Sequence, residues 1–315
     1  MKSMRAMLLA AMLVPGGCGG DDDGGGGEDD GGDDDGGGEP DASPDADASG
    51  DLIEERPYGL VVPKAYDPRT PTPLVLLLHG YTASGAVQLA YFGLSAVAEE
   101  QTLLLAYPDG TVDGNNNPFW NATDACCDFF GSGVDDVAYL TAVMDDVAAN
   151  YNVDSKRVFV VGHSNGGFMS HRMACDRADR VAAIASLAGA TWSDPAMCEP
   201  SEPVAVLQVH GDDDQVILYG GGGFQGGVYP AAVDTVGTWA EKNGCSGELE
   251  ATDTRLDLDA DVKADETRVE RFAGCPSVST EVELWTLEGA GHVPDLVQPT
   301  WPAEMVEFLL AHAKE

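Results

Sequence analysis

The chain has 315 residues, is 43% hydrophobic, and carries a formal net charge of −38 at neutral pH, from 54 acidic against 16 basic residues. That length holds one large or two small domains, with enough apolar material for a real core. A charge of this sign argues against nucleic acid as a partner and for a soluble or salt-adapted exterior.

Residues 1–18 have the layout of an export signal: Lys2 and Arg5, an apolar run from Ala6 to Val14, then small residues. The apolar run is too short to span a bilayer. Cys18 stands where a bacterial lipoprotein signal places its lipidated cysteine, although Pro15 and Gly16 depart from the usual Leu-Ala-Gly-Cys. We read a signal peptide of this lipoprotein type in preference to an ordinary cleaved signal, because an acyl anchor gives Cys18 a purpose. An anchor at Cys18 would be the one contact with a membrane.

Residues 19–51 hold 14 acidic residues, no basic ones and no hydrophobic side chain larger than alanine. Such a segment cannot bury enough surface to offset its ordering entropy and reads as a self-repelling, disordered linker. Its Asp/Gly run lacks the spaced ligands and closing Glu of a calcium loop.

From residue 52 to 315, short apolar runs alternate with helical patterns. This predicts one α/β domain with a mostly parallel central sheet and helices on both faces. "LVLLL" at 74–78 reads as a buried strand, followed by a helix over 85–99 and a strand from Leu103. An amphipathic helix is predicted over 135–150, then strand, turn and helix through "RVFVVGHSNGG" to residue 176. Apolar runs at 181–189 and 203–211 give two more strands, "TEVELWTLEGAGH" a last one, and residues 302–313 a closing helix. Besides Cys18, six cysteines remain: Cys126, Cys127, Cys175, Cys198, Cys245 and Cys275. An even set in an exported chain suggests disulfides, with the pairing left open. Cys245 with Cys275 is the preferred bridge, since the two flank the charged stretch 246–274 and would close it as a loop.

"VVGHSNGG" at 160–167 contains Gly-x-Ser-x-Gly. A serine N-cap explains Ser164 but not the glycines around it. A nucleophile on a tight strand-to-helix turn needs both, because the strained, closely packed backbone has no room for neighbouring side chains. Serine is a weak nucleophile at neutral pH and requires a base held in the right tautomer by a carboxylate. His292, in "EGAGHVPD", follows the last strand. An acid from "HGDDDQ" follows the strand before it, where Asp212, Asp213 and Asp214 are consecutive and one of them can face His292. The order Ser, Asp, His is that of the α/β-hydrolase fold. The remaining histidines are read as weaker bases: His79 and His210 as backbone-bonded in His-Gly turns, His163 as pointing away from the nucleophile, and His171 and His312 as surface residues on helices. The backbone N–H groups of Asn165 and Tyr81 are the candidate oxyanion donors.

Taken in order, "PLVLLLHGY", "AYPDGT", "FWNATDACCD", "GVDDVAYL", "YNVDSKRVFVVGHSNGGFMS", "LQVHGDDDQVILY" and "EGAGHVPD" resemble the secreted poly(3-hydroxybutyrate) depolymerase and feruloyl esterase-like group of α/β-hydrolases. The group's His-Gly-Thr-x-Asp-x-x-Val-Pro-Tyr falls on His210 to Tyr219 and selects Asp214 as the acid, with Asp212 in place of Thr and Leu218 in place of Pro. Its Gly-Gly-Gly-His-x-Trp-Pro falls on Gly289 to Pro294, where Ala290 replaces a glycine and Val293 stands near the expected Trp. The resemblance implies an extracellular or surface-tethered serine carboxylesterase with no metal or organic cofactor, its only partner an ester substrate: a polyester, a plant polysaccharide ester or a small acyl ester. Trp120, Trp192 and Tyr219 are the candidate substrate contacts, with Tyr81 and Phe119 as further aromatics near loop ends. The competing readings are a serine peptidase of the same fold and a non-catalytic surface polymer-binding protein.

Overall fold

The computed structural model describes residues 46–315 other than Gln225 and Ala264. The stretch read as a signal peptide, Cys18 included, and the expected linker as far as residue 45 lie outside the described residues. The linker expected to reach residue 51 is already helical within its last residues, since α1 spans Ala46–Glu55. Leu52 and Ile53 pack against the core, which is why the helix forms where the Asp/Gly composition gives way to apolar residues.

In chain order there follow β1 (Gly59–Val61), β2 (Thr72–Leu78), α2 (Gly85–Phe92), α3 (Leu94–Gln101), β3 (Leu104–Tyr107), β4 (Thr111–Val112), β5 (Pro118–Phe119), α4 (Asp136–Asn150) and β6 (Val153–His163). Then come α5 (Asn165–Asp176), β7 (Ala183–Leu187), β8 (Ala205–Gly211), β9 (Gly222–Phe224), β10 (Gly227–Tyr229), α6 (Ala232–Lys242), β11 (Leu249–Leu256), β12 (Thr267–Phe272), β13 (Val282–Leu287) and α7 (Thr300–Ala311). Nine strands form one sheet in the order β1-β3-β2-β6-β7-β8-β13-β12-β11. Strands β3, β2, β6, β7, β8 and β13 run parallel, while β1 at one edge and β12–β11 at the other are antiparallel. This is the expected α/β architecture.

Side chains alternate across a strand, so each central strand feeds two cores. Leu74, Leu76 and Leu78 point toward α4, α5 and α6, whereas Val75 and Leu77 point toward α2, α3 and α7. The helix predicted over 85–99 is two helices. Gly93, at φ 70°, takes the left-handed conformation open to glycine and ends α2 by donating its N–H to Leu89 O. The stretch 246–274, read as a loop, is a pair of strands instead. Strands β11 and β12 extend the sheet edge, with charged residues on their solvent face. The preferred Cys245–Cys275 bridge closes the base of this ribbon, and Cys175–Cys198 and Cys126–Cys127 are the other two disulfides. Among the described residues no helix is long and apolar enough to cross a membrane.

Candidate active site

Because the central strands are parallel, their carboxyl ends lie along one sheet edge, where open α/β sheets present ligand sites. The loops leaving β2, β6, β8 and β13 carry Tyr81, Ser164, Asp214 and His292 to that edge. Ser164 sits between β6 and α5 at φ 54° and ψ −120°, a conformation an L-residue holds only when its surroundings impose it. The packing does so. A Cβ on Gly162 would lie 2.1 Å from Gly166 O, and one on Gly166 would lie 2.3 Å from Leu78 O. Both glycines are therefore required by close backbone approach, and Ser164 N–H is fixed on Leu187 O at 2.8 Å.

The structure brings the three separated residues into one hydrogen-bonded line. Ser164 Oγ lies 2.9 Å from His292 Nε2, and His292 Nδ1 lies 2.7 Å from Asp214 Oδ2. All three are buried. The other oxygen of Asp214 accepts N–H bonds from Val216 at 2.8 Å and Ile217 at 3.0 Å, which fixes the carboxylate plane. Burial by itself pushes the Asp214 carboxyl up, but hydrogen bonds from His210 and His292 outweigh it and hold the group well below the usual carboxylate range. An acceptor-only carboxylate at Nδ1 makes that nitrogen the donor and leaves Nε2 free to take the serine proton. The ambiguity among the three aspartates disappears at the same point. Asp212 accepts Gly289 N–H at 2.6 Å, bracing the His292 loop, and Asp213 is bonded to the Gln215 side chain.

The N–H groups of Tyr81 and Asn165 donate to no acceptor among the described residues. For Asn165 this follows from its place in the first turn of α5, whose N–H groups have no partner within the helix. The Asn165 side chain has a function the sequence reading missed. Its Oδ1 accepts Trp120 N–H at 2.7 Å and its Nδ2 donates to Trp120 O at 2.8 Å, locking the loop before α4 onto the turn that bears Ser164.

The substrate-contact candidates separate. Trp120 is fully buried and its indole N–H donates to His79 O, so it is core and not cleft, as is Phe119. Tyr219 packs edge-on against His210 and bonds Thr286 through its hydroxyl, behind the Asp214 loop. Trp192 lines a cavity of about 440 Å³ together with Cys126, Phe129 and Arg172. Phe129, which sequence reasoning passed over, also packs edge-on against Tyr81 with ring centroids 5.4 Å apart. An aromatic residue in the Gly-rich segment before α4 was the available signal.

The other histidines are buried as well. His79 donates from Nδ1 to Gly80 O and accepts Gly110 N–H at Nε2, the backbone-bonded arrangement expected of it. His163 does not point away: its ring lies 5.0 Å from that of His292 and its Nε2 donates to His292 O at 2.9 Å. Nor are His171 and His312 surface residues. His171 is enclosed between Trp239 and Gln208 because its face of α5 is turned inward, and His312, which caps the end of α7, bonds Phe308 O and Glu281. Among the described residues no group of three or more His, Cys, Asp or Glu is arranged to hold a metal ion.

A serine on a tight turn between a parallel strand and a helix, with an aspartate and a histidine on later strand-end loops, is the arrangement of an α/β-hydrolase. The sequence profile of the Esterase family matches residues 49–213, just over half of the chain, and the chain belongs to that family. It is 30% identical over 207 residues to feruloyl esterase B of Piromyces equi, covering 61% of this chain and 35% of that protein. It is also 30% identical over 200 residues to feruloyl esterase C of Emericella nidulans, covering 61% of this chain and 64% of that one. The chain thus spans less than two thirds of the length of the curated relatives it matches. Among solved structures, acetyl xylan esterase from Aspergillus awamori aligns with a TM-score of 0.57 at 17% identity, over 80% of this chain and 93% of that one. The Bacillus cereus carboxylesterase aligns at 0.51 and 13% identity, over 84% and 99%. At those identities the likeness is one of fold.

Proposed function

We propose that this chain is an exported serine carboxylesterase working through an acyl-enzyme. Ser164 Oγ attacks the ester carbonyl while His292 Nε2 takes its proton. Asp214 holds the imidazole in the tautomer that allows this and stabilises the imidazolium that forms. The N–H groups of Asn165 and Tyr81 receive the developing oxyanion. His292 then gives its proton to the leaving alcohol, and a water deprotonated by the same ring frees the acyl group and restores Ser164. The observation that carries this reading is the unbroken line from Ser164 Oγ through His292 to Asp214, at 2.9 Å and 2.7 Å.

The relatives' names, feruloyl esterase and acetyl xylan esterase, support an ester of plant polysaccharide as the substrate class. A poly(3-hydroxybutyrate) ester is the alternative. The three disulfides support an oxidising, extracellular setting, with residues 1–18 as the export signal and Cys18 as the lipid attachment point. The same preparation should be assayed on methyl ferulate, acetylated xylan, poly(3-hydroxybutyrate), tributyrin, p-nitrophenyl butyrate and a peptide p-nitroanilide. We expect ester turnover, with kcat lowered by a factor on the order of 10⁴ or more in Ser164→Ala. A Ser164→Ala form with full activity refutes the assignment, preference for the anilide turns it to a peptidase, and failure to react with a fluorophosphonate probe turns it to a binding protein.

A further inference from the structure

Behind Asp214 lies a chain of buried polar side chains that the reaction does not use: Trp239 on α6, His171 on α5, and Gln208 and His210 two residues apart on one face of β8. Its bonds run in one direction. The indole N–H of Trp239, a donor only, meets His171 Nδ1 at 2.9 Å, so His171 must carry its proton on Nε2. That nitrogen faces Gln208 Oε1 at 3.0 Å. The amide nitrogen of Gln208 faces Gly189 O at 2.8 Å and His210 Nδ1 at 3.2 Å, so His210 accepts at Nδ1 and is protonated at Nε2. His210 Nε2 then points at two acceptors, Ile217 O at 2.8 Å and Asp214 Oδ2 at 3.5 Å. Read backwards from Ile217 O or outwards from Gly189 O, the assignment is the same, because carbonyls accept only. Reversing any link would set two N–H groups, or two lone pairs, against each other among fully buried side chains.

We propose that His210 is a positioning residue for Asp214, and that the donor chain from Trp239 through His171 and Gln208 exists to fix its tautomer. The N–H dipole delivered to Oδ2 holds the carboxylate ionised and in place at the oxygen that Val216 and Ile217 do not bond. This inference rests on Asp214 being the catalytic acid. The titratable groups that face Asp214 are His292, His210, His163 and the Tyr229 hydroxyl. Of these, His210 and His292 are the ones whose hydrogen bonds hold Asp214 low.

Two measurements test the proposal, and the first needs no activity. In protein labelled with ¹⁵N in its histidine rings, His210 should be protonated at Nε2 and bare at Nδ1 at neutral pH, and the opposite tautomer overturns the chain. In Gln208→Met the same spectrum should show a mixture of tautomers. An unchanged signal would mean that Ile217 O alone sets the ring, and the relay is then wrong. The second is the pH profile of kcat/KM on whichever ester the enzyme turns over. In His210→Phe the acid limb should move up by about one pH unit, because the base must be neutral to take the serine proton and a carboxylate deprived of one donor holds the protonated imidazole beside it more firmly. His210→Gln, which keeps an amide donor, should bring it back. Loss of activity in His210→Phe with an unmoved acid limb, or no rescue by His210→Gln, reduces His210 to packing. Should no ester be hydrolysed at all, the proposed function fails while the tautomer measurement still stands.

Discussion

Ser164 is defined by its neighbours' lack of side chains. Its backbone at φ 54° costs on the order of 1–3 kcal/mol, and the turn survives because Gly162 and Gly166 let two chain segments meet at distances no Cβ would allow. The glycine pattern was legible in the sequence, as was the order of the three reacting side chains, because both follow from covalent chemistry and chain direction. Which of three adjacent aspartates faces the imidazole was settled by a residue-level detail, the turn in which Asp214 accepts Val216 and Ile217 N–H while Asp212 reaches across to Gly289. Burial leaves His79 at about 4, His163 at about 3 and His171 at about 4, all depressed from 6.5 because a charged imidazole has no water there. In the unfolded chain these rings take protons near their ordinary value. Their contribution to stability is therefore complete above about pH 6.5 and is lost as the pH falls toward 3–4, by roughly 2 kcal/mol per ring at pH 5. We expect the Tm, measured in enough salt to screen surface charge, to drop by many degrees between pH 7 and pH 5. A flat profile would show that the rings are hydrated.

At the scale of elements, the strongly periodic and fully apolar segments were readable: β2, β6, β7, β8 and β13, and the amphipathic α4. The ribbon β11–β12 was not, because an edge pair with one solvated face has the charged, irregular composition of a loop and acquires its strand character from pairing with β13. The break between α2 and α3 rests on one glycine within an otherwise continuous helical pattern. The Cys245–Cys275 bridge ties the ribbon's two ends across a separation of 30 residues. Closing a loop of that size restricts the unfolded chain by an amount equivalent to about 3–4 kcal/mol. A Cys245→Ser/Cys275→Ser protein should lose about that much in urea unfolding. Its labelling by a fluorophosphonate should persist under native conditions, since Arg271 pairs with Glu283 and the bridge therefore lies by the amino end of β13, the end opposite the one from which the His292 loop leaves. Loss of labelling in a folded variant would show that the ribbon supports the site.

For the whole molecule, a formal charge of −38 over 315 residues, of which −26 falls on residues 52–315, means that the folded state works against its own repulsion. The surface ion pairs of arginine with aspartate and glutamate pull the other way under salt, but each is worth at most about 1 kcal/mol. Repulsion should dominate, so raising NaCl from about 0.02 M to about 0.5 M, where the Debye length shrinks to a few ångströms, should raise the Tm. A lower Tm in high salt would mean that the ion pairs act as a network. The sequence by itself determined the architecture, through apolar periodicity, and pointed to Ser164 and His292 as the proposed nucleophile and base, because a strained serine turn and a histidine after the last strand leave local traces. Only the tertiary structure decided which aromatic residues are core and which line a cavity, where the buried histidines sit and how the donor chain behind Asp214 is directed. Those features depend on which faces of separate helices and strands meet, and burial and hydrogen-bond polarity at such a meeting belong to no single stretch of chain.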